Sequence, residues 1–286
     1  MKKTEFANRI IHGNCLDVMQ NFEANSIDMA LTSPPYDNLR TYKGFSFPFE
    51  DIARQLFRVI KPGGVVVWVV NDATIEGTET GTSFTQALFF KEIGFNLHDT
   101  MIFRKRNPIP QIYRKRYNNE FEYMFVFSKG PIETHNPIKV DCLHAGLELN
   151  GTTYKNYSKN EQKREKMALP VKAQKVKGNI WEYVVGKNLE DQEAKGHPAP
   201  FPCELARDHV SSWSNPGDTV LDPMCGSGTT CKAAKQLGRN FIGIDVSEEY
   251  CDLATKRING HLEAPPRRKE KQSSSRSDMQ LSIIDI

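Results

Sequence analysis

Short apolar runs alternate along this chain with stretches in which apolar residues recur every three to four positions, and the alternation is met twice. In the first region Arg9–Ile11 is a short strand, Cys15–Phe22 an amphipathic helix and Ile27–Leu31 an apolar strand. Phe49–Ile60 is a helix, with Ala53, Leu56, Phe57 and Ile60 at helical spacing, and Lys61-Pro62-Gly63-Gly64 stops it. Val65–Val70, β-branched apart from Trp68, is a strand buried on both faces. Phe84–Ile93 is a helix closed by Gly94, and Asp99–Phe103 and Phe121–Phe127 are a last pair of strands.

The second region runs helix (200–213), strand (219–221), helix (229–237), strand (241–244) and helix (248–259). Buried strands alternating with helices predict an α/β fold, a mostly parallel sheet with helices on both faces. The second region's strands complete the first sheet. Residues 1–130 and 196–261 are then two halves of one core. Residues 131–195 lack clear periodicity and are a smaller inserted module, and 262–286, rich in Pro, Ser and charge, is a flexible tail. A length of 286 residues fits one large domain with an insertion.

Composition narrows the class without naming a chemistry. Hydrophobic residues make up 38% and charged residues 26%, the balance of a folded globular chain. The six cysteines form no CxxC pair and no zinc spacing, so reduced thiols and no metal are expected. No signal peptide follows Met1-Lys2-Lys3 and no run of 18 apolar residues occurs, which predicts a soluble, cytoplasmic protein with no membrane partner.

The net charge is only +3, but its distribution is uneven. The stretch from Arg104 to Tyr117 holds Arg104, Lys105, Arg106, Arg114, Lys115 and Arg116 and no acid. Between Gly151 and Trp181 eight lysines and arginines face only Glu161 and Glu165. Such runs, with Tyr113, Tyr117, Tyr154 and Tyr157 interleaved, can neutralise phosphates and stack on bases; a solvated basic face is the competing explanation.

Two motifs carry chemistry. Asp222-Pro223-Met224-Cys225-Gly226-Ser227-Gly228-Thr229-Thr230 lies between a strand and a helix, where glycines let the backbone approach a ligand and helix amides attract its polar groups. Asp245 ends the next strand, where an acid can accept both ribose hydroxyls of a nucleoside, the logic of Rossmann-like sites. The second motif, Thr32-Ser33-Pro34-Pro35-Tyr36, ends the Ile27–Leu31 strand. The exocyclic amine of a base is a poor nucleophile because its lone pair is delocalised into the ring. A Ser33 hydroxyl and a Pro34 carbonyl accepting its N–H groups would shift the nitrogen towards sp³, the prolines would hold the backbone rigid, and Tyr36 would stack on a flipped base.

Together, TSPPY and DPMCGSGTT resemble the catalytic and cofactor motifs of DNA amino-methyltransferases, over roughly residues 8–260. Their order, catalytic motif first, resembles the permuted β group. The resemblance implies S-adenosyl-L-methionine as cofactor and double-stranded DNA as partner. A cognate restriction endonuclease joins them where such an enzyme belongs to a restriction–modification pair. It implies that the segment His197–Pro202, with Pro200 and Phe201, holds the methionine end of the cofactor. It also places Asn14, Cys15 and Asp17 beside the adenine, and Thr32 with the cofactor site. The chain departs from the usual pattern in carrying Met224 where the family usually has Phe and Asn14 where it often has Asp.

In the family, Ser before the Pro-Pro pair usually accompanies N4-cytosine and Asp or Asn usually accompanies N6-adenine. Ser33 therefore favours cytosine, with adenine the alternative. C5 chemistry needs a cysteine nucleophile in the catalytic loop, and the chain's one Pro-Cys pair, Pro202-Cys203, lies elsewhere. An RNA methyltransferase and a catalytically silent nucleic-acid-binding subunit are the remaining alternatives.

Overall fold

The computed structural model describes residues 5–35, 47–108, 110, 115–143, 145, 172–185 and 202–260. In chain order they form β1 (Arg9–His12), α1 (Cys15–Met19), β2 (Ile27–Thr32), α2 (Phe49–Val59), β3 (Ile60–Val70), β4 (Thr74–Ile75), β5 (Thr78–Glu79) and α3 (Thr82–Glu92). There follow β6 (Asn96–Lys105), β7 (Phe121–Ser128), β8 (Lys139–Asp141), β9 (Gln174–Val176) and β10 (Ile180–Tyr183). The chain continues through α4 (Cys203–Trp213), β11 (Thr219–Asp222), α5 (Thr229–Gln236), β12 (Asn240–Asp245) and α6 (Glu248–Ile258).

Eight of the described strands form one sheet in the order β1-β12-β11-β2-β3-β7-β6-β10. Only β7 runs against its neighbours, β3 and β6; the other pairs are parallel. Strands from both regions of the sequence therefore share one sheet, in the α/β class expected. Val65–Val70 of β3, each at most 1% exposed, is the continuous apolar run buried on both faces. Burying each such side chain stabilises by about 1.5–3 kcal/mol. One face of the sheet packs on residues of α1, α2 and α3, among them Met19, Leu56 and Phe90. The other packs on α4, α5 and α6 through residues such as Val210, Ala234 and Ile258.

Three local readings change. Helix α2 does stop before Lys61–Gly64, at Val59 rather than Ile60, but the strand expected from Val65 already begins at Ile60 and includes the KPGG stretch, with the register to β2 shifting between Ile27 and Met29. Gly64 is required there, because a Cβ would come within 2.7 Å of the Asp28 carbonyl. The first helix stops at Met19 rather than Phe22, and Arg58 closes its end by donating to the carbonyls of Met19 (2.6 Å) and Phe22 (2.7 Å). Finally, part of the stretch expected as an insertion joins the core. β10 pairs with β6 at the sheet edge and buries Trp181 and Tyr183, while among the described residues β8 and β9 pair with each other alone. Four residues, Ile-Trp-Glu-Tyr, are too short a run for periodicity to register.

Candidate active site

The sheet sets the two motifs side by side. β11 and β2 are parallel neighbours, Leu221 opposite Ala30, so Asp222 and Thr32, 190 positions apart in sequence, end adjacent strands at the same edge. Thr32 Oγ1 donates to Asp222 Oδ1 at 2.8 Å. Across the other side of β11, β12 ends at Asp245 opposite His12 of β1, and the Gly13 N–H donates to the Asp245 carbonyl at 2.9 Å. Four consecutive strand ends thus present Asn14, Asp245, the 222–228 loop and Ser33-Pro34-Pro35 along the carboxyl edge, where open α/β sheets bind ligands.

Each predicted residue has a definite place. Asn14 caps α1 by accepting from the Leu16 N–H at 2.9 Å, a task Asp performs equally well, which explains why Asn can stand there. Asp17 is exposed in the first turn of α1, where an acid suits the helix N-terminus. Cys15 is buried at the base of that helix, and burial pushes its thiol up to about 11, so it is an apolar packing residue. Pro34 is buried, with Ser33 and Pro35 half-buried beside it. Tyr36, Pro200 and Phe201 lie outside the described residues.

The loop between β11 and α5 owes its path to glycine. Gly228 has φ +76°, and a Cβ there would meet the Ala254 Cβ at 2.7 Å, so no other residue fits. Gly226 donates its N–H to Asp245 Oδ2 at 2.8 Å and Ser247 donates its own to Asp245 Oδ1 at 2.9 Å. The carboxylate is held rigidly between loop and strand. Ionised, it offers about four lone-pair directions; among the described residues two are taken, which leaves two for a vicinal diol. Burial raises the Asp245 pKa, and these two N–H groups oppose the rise. Met224, part-buried against the same core as Ile242, supplies an apolar, polarizable surface beside the loop. The acceptor positions of Asp245 and the apolar surface of Met224 therefore fit a nucleoside cofactor.

Asp222 lies deeper. It accepts from Thr32 and from the Met224 N–H at 3.2 Å, and burial lifts its carboxyl to about 6 against the pull of these bonds and of one with the Thr230 side chain. Thr230, also fully buried, donates to the Leu31 carbonyl at 3.2 Å. Sequence reading placed Thr230 at the end of the glycine-rich motif but gave it no role of its own. It also missed Arg257, which is buried on α6 and donates to the Ser227 carbonyl and, at 3.4 Å, to Thr229 Oγ1. Nothing local in the sequence marks that arginine.

The basic run behaves differently from its linear appearance. Arg104 bonds Glu182 at 2.9 Å and lies 3.9 Å from Glu120; Lys105 pairs with Glu122 at 2.9 Å; Arg106 approaches Glu182 at 3.8 Å. Arg116 bonds Glu79 at 3.0 Å and the Gly77 carbonyl. The acids come from β5, β7, β10 and the approach to β7. Lys115 is exposed, and Arg114 lies outside the described residues, as does most of the second basic run. All six cysteines are free thiols, and no cluster of metal-ligating side chains occurs among the described residues. No helix among them is long and apolar enough to cross a membrane.

A family model described as DNA methylase matches residues 27–256, a span that holds both motifs and every strand between them. The chain belongs to this family. The DNA methylase is 47% identical over 247 residues to the orphan methyltransferase M.BamHII of Bacillus amyloliquefaciens, covering 85% of this chain and 92% of that one. It is 27% identical to the type II methyltransferase M.BglII of Bacillus subtilis, over 88% of this chain and 69% of the relative. Among solved structures, one is a Thermus thermophilus protein provisionally assigned as a DNA modification methylase and complexed with S-adenosyl-L-methionine. It superposes with TM-score 0.60 at 26% identity, over 88% of this chain and 93% of that one. The cytosine-N4-specific PvuII DNA methyltransferase shares the fold with TM-score 0.63 at 18% identity, over 88% and 92% of the two chains. The amino-methyltransferase resemblance read from TSPPY and DPMCGSGTT is thus the family found.

Proposed function

We propose that this DNA methylase modifies the N4 amine of cytosine, within double-stranded DNA, using the edge formed by β1, β12, β11 and β2. The observation that carries the reading is the juxtaposition of Ser33-Pro34 with the 222–228 loop on neighbouring parallel strands, tied by the Thr32–Asp222 bond. The cofactor is S-adenosyl-L-methionine, which supplies an activated methyl group when bound. Asp245 would accept the ribose hydroxyls with its two remaining lone-pair directions. The 223–228 backbone would wrap the cofactor's polar groups, and Met224 would pack on the adenine.

At the other end of the site, the Ser33 hydroxyl and Pro34 carbonyl would accept the N–H groups of the target amine. This draws its lone pair out of conjugation and aims it across the β2–β11 boundary. Tyr36 is assigned the stacking of the extruded base. Ser33 before the Pro-Pro pair favours cytosine over adenine, as the family's use of Ser against Asp or Asn at that position implies. Target reading is assigned to the 131–195 stretch, and within it to residues between β8 and β9, whose pairing makes the chain leave and return at one place. The 104–116 run is assigned the phosphates.

The test is to incubate the protein and S-adenosyl-L-methionine with mixed-sequence duplex DNA, digest to nucleosides and identify the product by mass. N4-methyldeoxycytidine is expected. N6-methyldeoxyadenosine would overturn the cytosine assignment and leave the family standing.

A further inference from the structure

Two side-chain hydrogen bonds cross between the catalytic strand and the cofactor loop beyond the backbone pairing of the sheet. β2 and β11 are joined through Val220 opposite Met29 and Leu221 opposite Ala30. Past these rungs, Thr32 donates to Asp222 at 2.8 Å, and Thr230 reaches back from α5 to donate to the Leu31 carbonyl at 3.2 Å. The Thr230 side chain is also bonded to Asp222, and Asp222 takes the Met224 N–H of the loop. The result is a closed ring, Leu31–Thr230–Asp222–Thr32. Its three side chains are at most 2% exposed.

The ring has two arrangements because a hydroxyl carries one proton. With Asp222 ionised, Thr230 can give its proton to the carboxylate or to the Leu31 carbonyl, but not to both. With Asp222 protonated, the carboxyl donates to Thr230 Oγ1, Thr230 donates to Leu31, and Thr32 still donates to the other end of Asp222. Burial, which holds the Asp222 carboxyl near 6, leaves both arrangements accessible near neutral pH. One end of the ring is the strand that leads into Ser33 and the other is the loop that would hold the cofactor. A discrete two-state element joined to both sites is the physical requirement for coupling between them.

We infer that Thr230 and Thr32 are positioning residues that make cofactor binding and target-base binding cooperative in this enzyme. The inference rests on the methyltransferase reading above. Loop order in the cofactor-bound state fixes the ring, and the ring fixes the strand end from which Ser33 and Pro34 meet the amine.

The experiment uses the full chain, S-adenosylhomocysteine as probe and a duplex carrying the site mapped from the enzyme's own products. Duplex affinity is measured with and without saturating S-adenosylhomocysteine. In the parent, the probe should tighten duplex binding by about five-fold or more, the lower end of ordinary coupling. Thr230→Val and Thr32→Val should bring the ratio close to one, and Thr230→Ser and Thr32→Ser should restore it by returning the hydroxyl. Asp222→Asn keeps the shape and fixes the proton arrangement; it should fold, bind duplex and show a ratio near one. That variant keeps the test decisive if either valine protein fails to fold. A parental ratio in Asp222→Asn or in the valine variants, serine variants that do not recover, or a parent with no tightening would each overturn the coupling while methylation itself persisted. A parent that neither binds S-adenosylhomocysteine nor methylates DNA would take the functional reading down with it.

Discussion

The two flanks of the sheet use their charged groups in opposite ways. On the flank from β1 to β2, carboxylates stand at strand ends, Asp222 buried and Asp245 half-buried, and are held by N–H and hydroxyl donors: Asp245 by Gly226 and Ser247, Asp222 by Thr32 and Met224. On the flank from β7 to β10 charges pair with one another, Arg104 and Arg106 with Glu182 and Arg104 with Glu120 facing water, and Lys105 with Glu122 less exposed. Buried, donor-held carboxylates cost stability and are kept where they can bind something. Exposed pairs contribute roughly 0–1 kcal/mol and mainly keep a surface soluble. The contrast supports the proposed division, with the chemistry at the β1–β2 end of the sheet and electrostatics at the other.

The largest expected effect tests the cost on the first flank. Burial raises Asp222 from 3.8 to about 6, which at about 1.4 kcal/mol per pH unit is a penalty of roughly 3 kcal/mol for keeping it charged. Because the folded carboxyl binds its proton more tightly than the unfolded one, this group's contribution to stability falls as pH rises from about 3.8 to about 6 and is flat beyond. Asp222→Asn removes the penalty and keeps an acceptor for Thr32. Denaturant titrations should show the variant more stable than the parent by up to about 3 kcal/mol above about pH 6, with the gap closing towards about pH 4. Equal stability at about pH 8 would mean that the carboxyl is not buried as described.

Smaller, and directed at ligand rather than fold, is Asp245→Ala. A hydrogen bond to a charged group is worth about 1.5–3 kcal/mol, so S-adenosyl-L-methionine affinity should fall by that amount in calorimetry. Since Asp245 also orders Gly226, part of the loss belongs to the loop. Asp245→Asn, which keeps an acceptor, should lose less. Unchanged affinity in the alanine variant would remove Asp245 from the cofactor site.

The same division explains what the sequence could show. On the first flank each function is carried by contiguous residues, TSPP and DPMCGSG, whose strand-end setting follows from local patterning, so motif and placement could be read together. Even there, the Thr32–Asp222 and Thr230–Leu31 bonds, and Arg257 under the loop, were out of reach, because the partners come together only when β2, α5 and α6 are packed. On the second flank, linear sequence misled about charge. The run from Arg104 to Tyr117 contains no acid, yet pairing of β6 with β7 and β10 sets Glu122 and Glu182 directly opposite Phe103 and Arg104. Register across a sheet, not spacing along a chain, decides which charges are already paired. β10 was missed for a related reason, since its place depends on the β6 edge it completes.

The last prediction concerns that second flank, and its effect is the smallest. If the 104–116 run contacts phosphate, DNA affinity should fall linearly on a log–log plot against salt, each released phosphate contact adding about 0.9 to the slope. Arg104 and Glu182 are each close to half exposed, so their pairing is a weak one that a phosphate could replace. Lys105 and Glu122 are much less exposed, and Lys105 should remain with its acid. Arg104→Ala should therefore lower the slope by about 0.9 and leave stability within about 1 kcal/mol of the parent, while Lys105→Ala should cost stability and leave the slope nearly unchanged. Glu182→Gln sharpens the comparison, because it frees Arg104 and Arg106 together without removing either. The variant should bind duplex modestly more tightly at low salt, with a steeper slope. If Glu182→Gln and Arg104→Ala both leave the slope where it was, the arginines serve only the sheet edge, and the phosphate contacts must come from elsewhere on the chain.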